Sequence, residues 1–167
     1  MTAKGREGER RRKPGRKAVA RSAARLGAVQ ALYQMDVGGA ALSDVLAEFS
    51  SRRIGERFDD GECGDPDIQL LQSIVRGVVS DQVDIDRAVN RHLTEKWKLP
   101  RLDATVRAIL RAGGFELLRR PDIPPRVTIS EYVDVARAFF EGGEEPAFVN
   151  GVLDALAREH RAEELHR

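Results

Sequence analysis

The chain has 167 residues, 41% of them hydrophobic and only 5% aromatic, which suits one domain or two small ones with a core of Leu, Val and Ala. No apolar run approaches a bilayer span, and the basic N-terminus lacks the apolar stretch of a secretory signal, so neither a membrane partner nor export is expected. The net charge of +1 conceals an asymmetry: residues 1–25 hold ten Lys/Arg and two Glu, a net +8, and the remainder carries a net −7. A basic arm on an acidic body fits a polyanion at one end, and nucleic acid is the polyanion expected. The single cysteine, Cys63, has no partner for a disulfide, which suits a reducing, cytoplasmic setting.

Residues 1–16, with Arg10-Arg11-Arg12-Lys13 and almost nothing apolar, read as a disordered basic arm. The folded part is expected over 17–167, with a helical subdomain at about 17–80 and a second at about 81–160. From Lys17 to Val37, Ala20, Ala24, Ala28, Ala31, Leu32 and Met35 share one helical face, and Gly38-Gly39 ends the helix. Arg21, Arg25, Val29 and Tyr33 form a second ridge at four-residue spacing, which sets two guanidinium groups and a phenol along one edge. A short helix follows from Leu42 to Arg52, and 54–65 reads as a loop. Asp65 as N-cap and Pro66 then open a third helix on Ile68, Leu71, Val75 and Val78. A fourth is expected from Val83 to Lys96, with His92 structural at its border, and a fifth from Arg101 to Arg120.

Gly113-Gly114 inside the fifth helix costs on the order of 2 kcal/mol against two alanines, so either close packing offsets it or the helix is locally weak. Arg107 and Arg111 fit an ordinary solvated face. Thr128-Ile129-Ser130-Glu131 has the form of a capping box, with Val127 and Tyr132 as its staple, and opens a sixth helix that Gly142-Gly143 stops. The seventh, Pro146 to His160, sets Phe148, Val149, Val152, Leu153 and Leu156 on one stripe, with Gly151 expected at a tight helix crossing beside Asn150. No segment alternates with period two, so the chain reads as all-α, about seven helices in two packed subdomains.

The sequence holds no phosphate-binding glycine loop, no paired-cysteine metal site and no nucleophile elbow, so no enzyme, metal or cofactor is expected. Glu144 and Glu145 sit where the macrodipole of a starting helix favours acids. The positive signs are the arm, the Arg21/Arg25/Tyr33 ridge and the Phe148 helix. Arginines hold phosphates and an exposed tyrosine stacks on an unpaired base, although at this spacing Tyr33 serves equally well as core.

Five segments sharpen the reading. Ala28-Val29-Gln30-Ala31-Leu32-Tyr33-Gln34 resembles the first helix of the bacterial NusB family. Arg107-Ala108-Ile109-Leu110-Arg111, Phe115-Glu116-Leu117, Val127-Thr128-Ile129-Ser130-Glu131 and Phe148-Val149-Asn150-Gly151-Val152-Leu153-Asp154 resemble its later blocks, in order. The resemblance spans roughly 17–160. It implies an all-helical RNA-binding transcription antitermination factor. The implied partners are ribosomal protein NusE, with which it binds single-stranded boxA RNA of ribosomal RNA transcripts, and an RNA polymerase antitermination complex with other Nus factors. It places the RNA surface on Lys17, Arg21, Arg25 and Tyr33, with Glu144 and Phe148 nearby, and the charge of the arm adds Arg16. Ser22 stands where many relatives carry another arginine. Two alternatives stay open: a ribosome-maturation module acting through NusE without binding RNA, and the RNA-binding domain type found in RNA cytosine methyltransferases, although no methyltransferase half follows here. Self-association into a homodimer is also left open.

Overall fold

The computed structural model describes residues 15–55 and 67–165. Of the expected arm over 1–16, residues 1–14 lie outside the described residues, as do Cys63 and the expected N-cap at Asp65 with Pro66, whereas Gly15 and Arg16 are ordered as the cap and first residue of a helix. Among the described residues the fold is seven α-helices without a strand: α1 (Arg16–Gly38), α2 (Leu42–Gly55), α3 (Ile68–Asn90), α4 (Ala104–Arg119), α5 (Pro125–Phe139), α6 (Glu145–His160) and α7 (Ala162–Leu165). The all-α expectation holds. Two elements expected as separate helices are one, however. Helix α3 runs from Ile68 to Asn90 through a single non-helical residue, Asp81 (φ −111°, ψ 19°), so the chain kinks between the two apolar stripes without leaving the helix. The short α7 restores the count.

Three boundaries move for local reasons. Asp67 caps α3, its carboxylate accepting from Leu70 N at 3.0 Å. Asp103 caps α4 by accepting from Thr105 N and Val106 N, so that helix begins after Arg101, and the preceding stretch forms two 3₁₀ turns, Glu95–Trp97 and Leu99–Arg101. The expected capping box is not formed. Helix α5 begins at Pro125, a residue with fixed φ and no N–H to lose, so Thr128 already lies inside the helix, fully buried. Glu131 reaches instead to α1, and Val127 is exposed rather than stapled to Tyr132.

Helix α4 is the hub. It packs against α1, α3, α5 and α6, and every residue from Ala112 to Leu117 is buried, so side chains surround it on all sides. That explains Gly113 and Gly114. A Cβ on Gly113 would stand 2.8 Å from Leu153 Cδ1 and 3.3 Å from the Tyr132 ring, and one on Gly114 would stand 3.2 Å from Ile85 and Val89. Close packing, and not local weakness, is why they are glycines. A similar approach occurs where the Phe115 ring covers Gly77 of α3. Gly151 is the reverse case. It faces open space opposite the Val149, Val152, Leu153 and Leu156 stripe, so the expected tight crossing at this position is absent.

Candidate nucleic-acid interface

Helix α1 sets up the basic surface. Its N-cap is Gly15, which offers no side chain to the free N–H groups of the first turn, and no acid occupies that turn. Instead, Arg16 and Lys17 stand there, exposed, followed one turn later by exposed Arg21. Cations at the positive end of a helix dipole oppose helix stability, by a few tenths to about 1 kcal/mol each. The same arrangement concentrates positive potential at one place, which favours a phosphate.

The Arg21–Arg25–Val29–Tyr33 ridge does not lie on the surface throughout. Residues four apart advance 40° around a helix, so the ridge turns by about 120° over its length. It is exposed at Arg21 and again at Tyr33, and between them Arg25 and Val29 turn inward against the core. Arg25 is therefore a correction to the expected surface. Its side chain is 98% buried, and its Nε and Nη2 donate to the Glu116 carboxylate at 2.9–3.2 Å. Tyr132 Oη donates to the same carboxylate. Burial alone would lower the Arg25 pKa, but the hydrogen bond and charge of Glu116 outweigh it and raise the pKa. The cluster reaches the surface through Glu131, which accepts from Ser22 Oγ at 2.8 Å and lies 3.7 Å from Arg25 Nη1. Ser22 thus ties α1 to α5.

Tyr33 is 40% exposed and Phe148 is 38% exposed, so neither is a core residue. Glu144 is the N-cap of α6 and Phe148 lies on the first turn, its N–H bonded to Glu144 O. Helices α1 and α6 both pack on α5, but no hydrogen bond or ion pair joins the side chains of Glu144 or Phe148 to α1 among the described residues. The structure therefore gathers Arg16, Lys17 and Arg21, places Tyr33 about 18 Å along the helix from Arg21, and sets the Phe148 corner on another element.

Arg107 and Arg111 are not a free solvated face. Arg107 donates to Asp36 at 2.7 Å and to the carbonyls of Leu99 and Leu102, and Arg111 grips Asp86 at 2.9 Å through two nitrogens. They lock the end of α1, the 3₁₀ turns and α3 onto α4. His92 is structural as expected, paired with Glu159 of α6. The i, i+4 spacing of the two arginines hinted at a pair, but not at acids 71 and 25 positions away.

No helix among the described residues is long and apolar enough to cross a membrane, and no group of three or more His, Cys, Asp or Glu there could hold a metal ion. The sequence matches the profile described as the NusB family over residues 22–158. It is 53% identical over 156 residues to the transcription antitermination protein NusB of Agrobacterium fabrum, covering 93% of this chain and 94% of that one. The fold superposes on NusB of T. maritima with a TM-score of 0.70 and 29% identity, over 93% of this chain and all of that one. It also superposes on the crystal structure of antitermination factors NusB and NusE in complex with dsRNA, with a TM-score of 0.68 and 24% identity over 83% of this chain and 96% of that one. A profile match across most of the chain and a relative sharing half its residues place it together with the helical fold: this protein belongs to the NusB family.

Proposed function

We propose that the protein acts in transcription antitermination by binding boxA-type single-stranded RNA together with ribosomal protein NusE, in a complex with RNA polymerase and other Nus factors. The family consists of transcription antitermination factors and not of enzymes. The observation that carries the RNA reading is the first turn of α1, where Arg16 and Lys17 crowd an uncapped helix start and Arg21 follows on the next turn. Among the described residues no side chain caps or neutralises that helix start, whereas a phosphate backbone would satisfy both the cations and the free N–H groups. Tyr33, Glu144 and Phe148 complete the proposed surface, with the two rings available to stack on bases. Arg25 contributes by holding α1 in place rather than by touching RNA.

NusE is proposed to dock on the acidic body, whose net −7 suits a basic ribosomal protein. The test is a fluorescence-anisotropy titration of boxA RNA with and without NusE. Affinity should rise sharply when NusE is present, and a scrambled RNA should gain less. Unchanged boxA affinity at saturating NusE would reject joint binding, and absence of any RNA binding would favour a module acting through NusE alone.

A further inference from the structure

The two 3₁₀ turns between α3 and α4 carry Lys96-Trp97-Lys98-Leu99-Pro100-Arg101, and Trp97 is the chain's one tryptophan. It is 51% exposed, although Leu99 two residues on is buried. The segment is pinned from several sides. The Leu99 N–H donates to Asn90 Oδ1 at 3.0 Å, and Lys98 Nζ donates to the carbonyls of Asn90 and Leu93 at 2.8 and 3.0 Å, which fastens both turns to the end of α3. The Arg107 guanidinium joins Asp36 to the carbonyls of Leu99 and Leu102. Asp36 lies three residues beyond Tyr33 on α1, so the turn that holds Arg101 abuts the Tyr33 end of the proposed RNA surface. A ring on a segment ordered in advance costs little further entropy when a ligand settles on it.

The charges here are not matched. Lys98 pairs with Glu95 at 3.7 Å, and Asp103 is engaged in capping α4. Lys96 and Arg101 are exposed and meet no carboxylate among the described residues. Lys96 Nζ stands instead 5.7 Å from the centre of the Trp97 ring, a cation–π contact that keeps the ammonium beside the indole. An aromatic ring flanked by two unmatched cations is complementary to a nucleotide strand, whose bases stack on the ring and whose phosphates meet the cations. A basic ribosomal protein of the kind proposed for the acidic body is repelled by the same two cations.

We infer that Trp97, Lys96 and Arg101 form a stacking site for single-stranded RNA that flanks boxA, beyond the Tyr33 end of α1. The inference rests on the RNA reading above and lengthens its footprint. A base lies on the indole, and the adjoining phosphates take Lys96 and Arg101.

Because the chain has one tryptophan, its fluorescence reports this site alone. The experiment titrates the protein with boxA RNA and with the same RNA carrying a four-adenosine tail at its 3′ end or at its 5′ end. It is run without and then with NusE, and each signal is corrected with the Trp97→Phe variant under the same conditions. One of the tailed RNAs should quench Trp97 and bind about tenfold more tightly than boxA alone, which is the worth of one base stack. Trp97→Ala should lose that gain with its log–log salt slope unchanged. Lys96→Ala combined with Arg101→Ala should lower the slope on the tailed RNA by about 1.4. Circular dichroism melts check that both variants fold, and the quenching of the wild type needs no variant. Binding of boxA with neither quenching nor gain from either tail overturns the site while leaving boxA recognition standing. A gain that survives both variants overturns it as well. A blue shift of Trp97 on adding NusE without RNA assigns the indole to a protein partner and likewise overturns it. Failure of the wild type to bind any of the three RNAs rejects the RNA reading itself and the site with it.

Discussion

Arg25 and Glu116 meet through two nitrogens and two oxygens at 2.9–3.2 Å, with 2% and 0% of their side chains exposed. They join α1 to the hub helix α4. Such a pair adds little over a well-packed apolar pair, yet it is expensive to break from one side, because the surviving charge stays buried.

Glu116→Ala should therefore destabilise the fold by about 3–5 kcal/mol, read as a lower urea midpoint with an unchanged m-value. Arg25→Ala should lie in the same range, leaving Glu116 with only the Tyr132 hydroxyl. A double variant replacing both with apolar residues of similar volume should recover much of that loss. Equal and small effects of all three would show that the pair is not buried in solution.

The Tyr132 hydroxyl makes the same cluster sensitive to alkali. Burial, and then the charge of Glu116, push its pKa well above the usual 10.0. A group whose folded pKa is raised contributes stability fully below its unfolded pKa and loses it as pH rises toward the folded value. Stability should thus be flat in this respect below about pH 9 and decline above about pH 10. Urea melts across pH 8 to 11 for the wild type and Tyr132→Phe would check it: the variant should be less stable at pH 8 but decline less steeply above pH 10. Parallel curves would remove Tyr132 as the cause.

Gly113 and Gly151 should respond to alanine with opposite signs. Alanine gains about 1 kcal/mol over glycine in a helix interior when space is free. At Gly151 nothing lies within 4 Å, so Gly151→Ala should stabilise by about 0.5–1 kcal/mol. At Gly113 the new Cβ would meet Leu153 at 2.8 Å and Tyr132 at 3.3 Å, and overpacking of about 1–3 kcal/mol should outweigh the helical gain. Thermal melts of the two variants decide it, and two shifts of the same sign would contradict the packing described.

The same two glycines show what the sequence made legible. That mid-helix glycines need a reason is a local rule, and at Gly113-Gly114 it leaves close packing and local weakness both open until the neighbours Leu153, Ile85 and Val89 decide for packing. Which face the glycine occupies depends on the neighbouring stripe, and Gly151 lies opposite its own. The helices themselves follow from periodicity because burial of an apolar stripe dominates their stability. The buried role of Arg25 was hidden because its partner stands 91 positions away and a charge at four-residue spacing looks like surface. Glu131 deceived in the same way: its place in a capping box is a local pattern, and Pro125 together with a partner on α1 overrides it.

The two exposed ends of the α1 ridge should separate in RNA binding. Lys17 and Arg21 lie by the uncapped helix start and should act through phosphates. Replacing both with alanine should lower the log–log salt slope on boxA RNA by about 1.4, and should weaken boxA and scrambled RNA alike. Tyr33 carries no charge and stands about 18 Å farther along. Tyr33→Ala should leave the slope unchanged while reducing boxA affinity by about 1–3 kcal/mol, the worth of one base stack. Because Tyr33 is 40% exposed, its removal should leave the circular dichroism spectrum intact, which separates lost stacking from lost folding. Tyr33 also neighbours the exposed apolar Val37, and Val79 lines a hollow with Met35 and Asp36 nearby, a setting that a protein partner would fit equally. Titrations with and without NusE resolve this. Loss of boxA affinity in both conditions places a base on Tyr33, whereas loss only of the NusE-dependent gain places the ribosomal protein there and removes Tyr33 from the RNA surface.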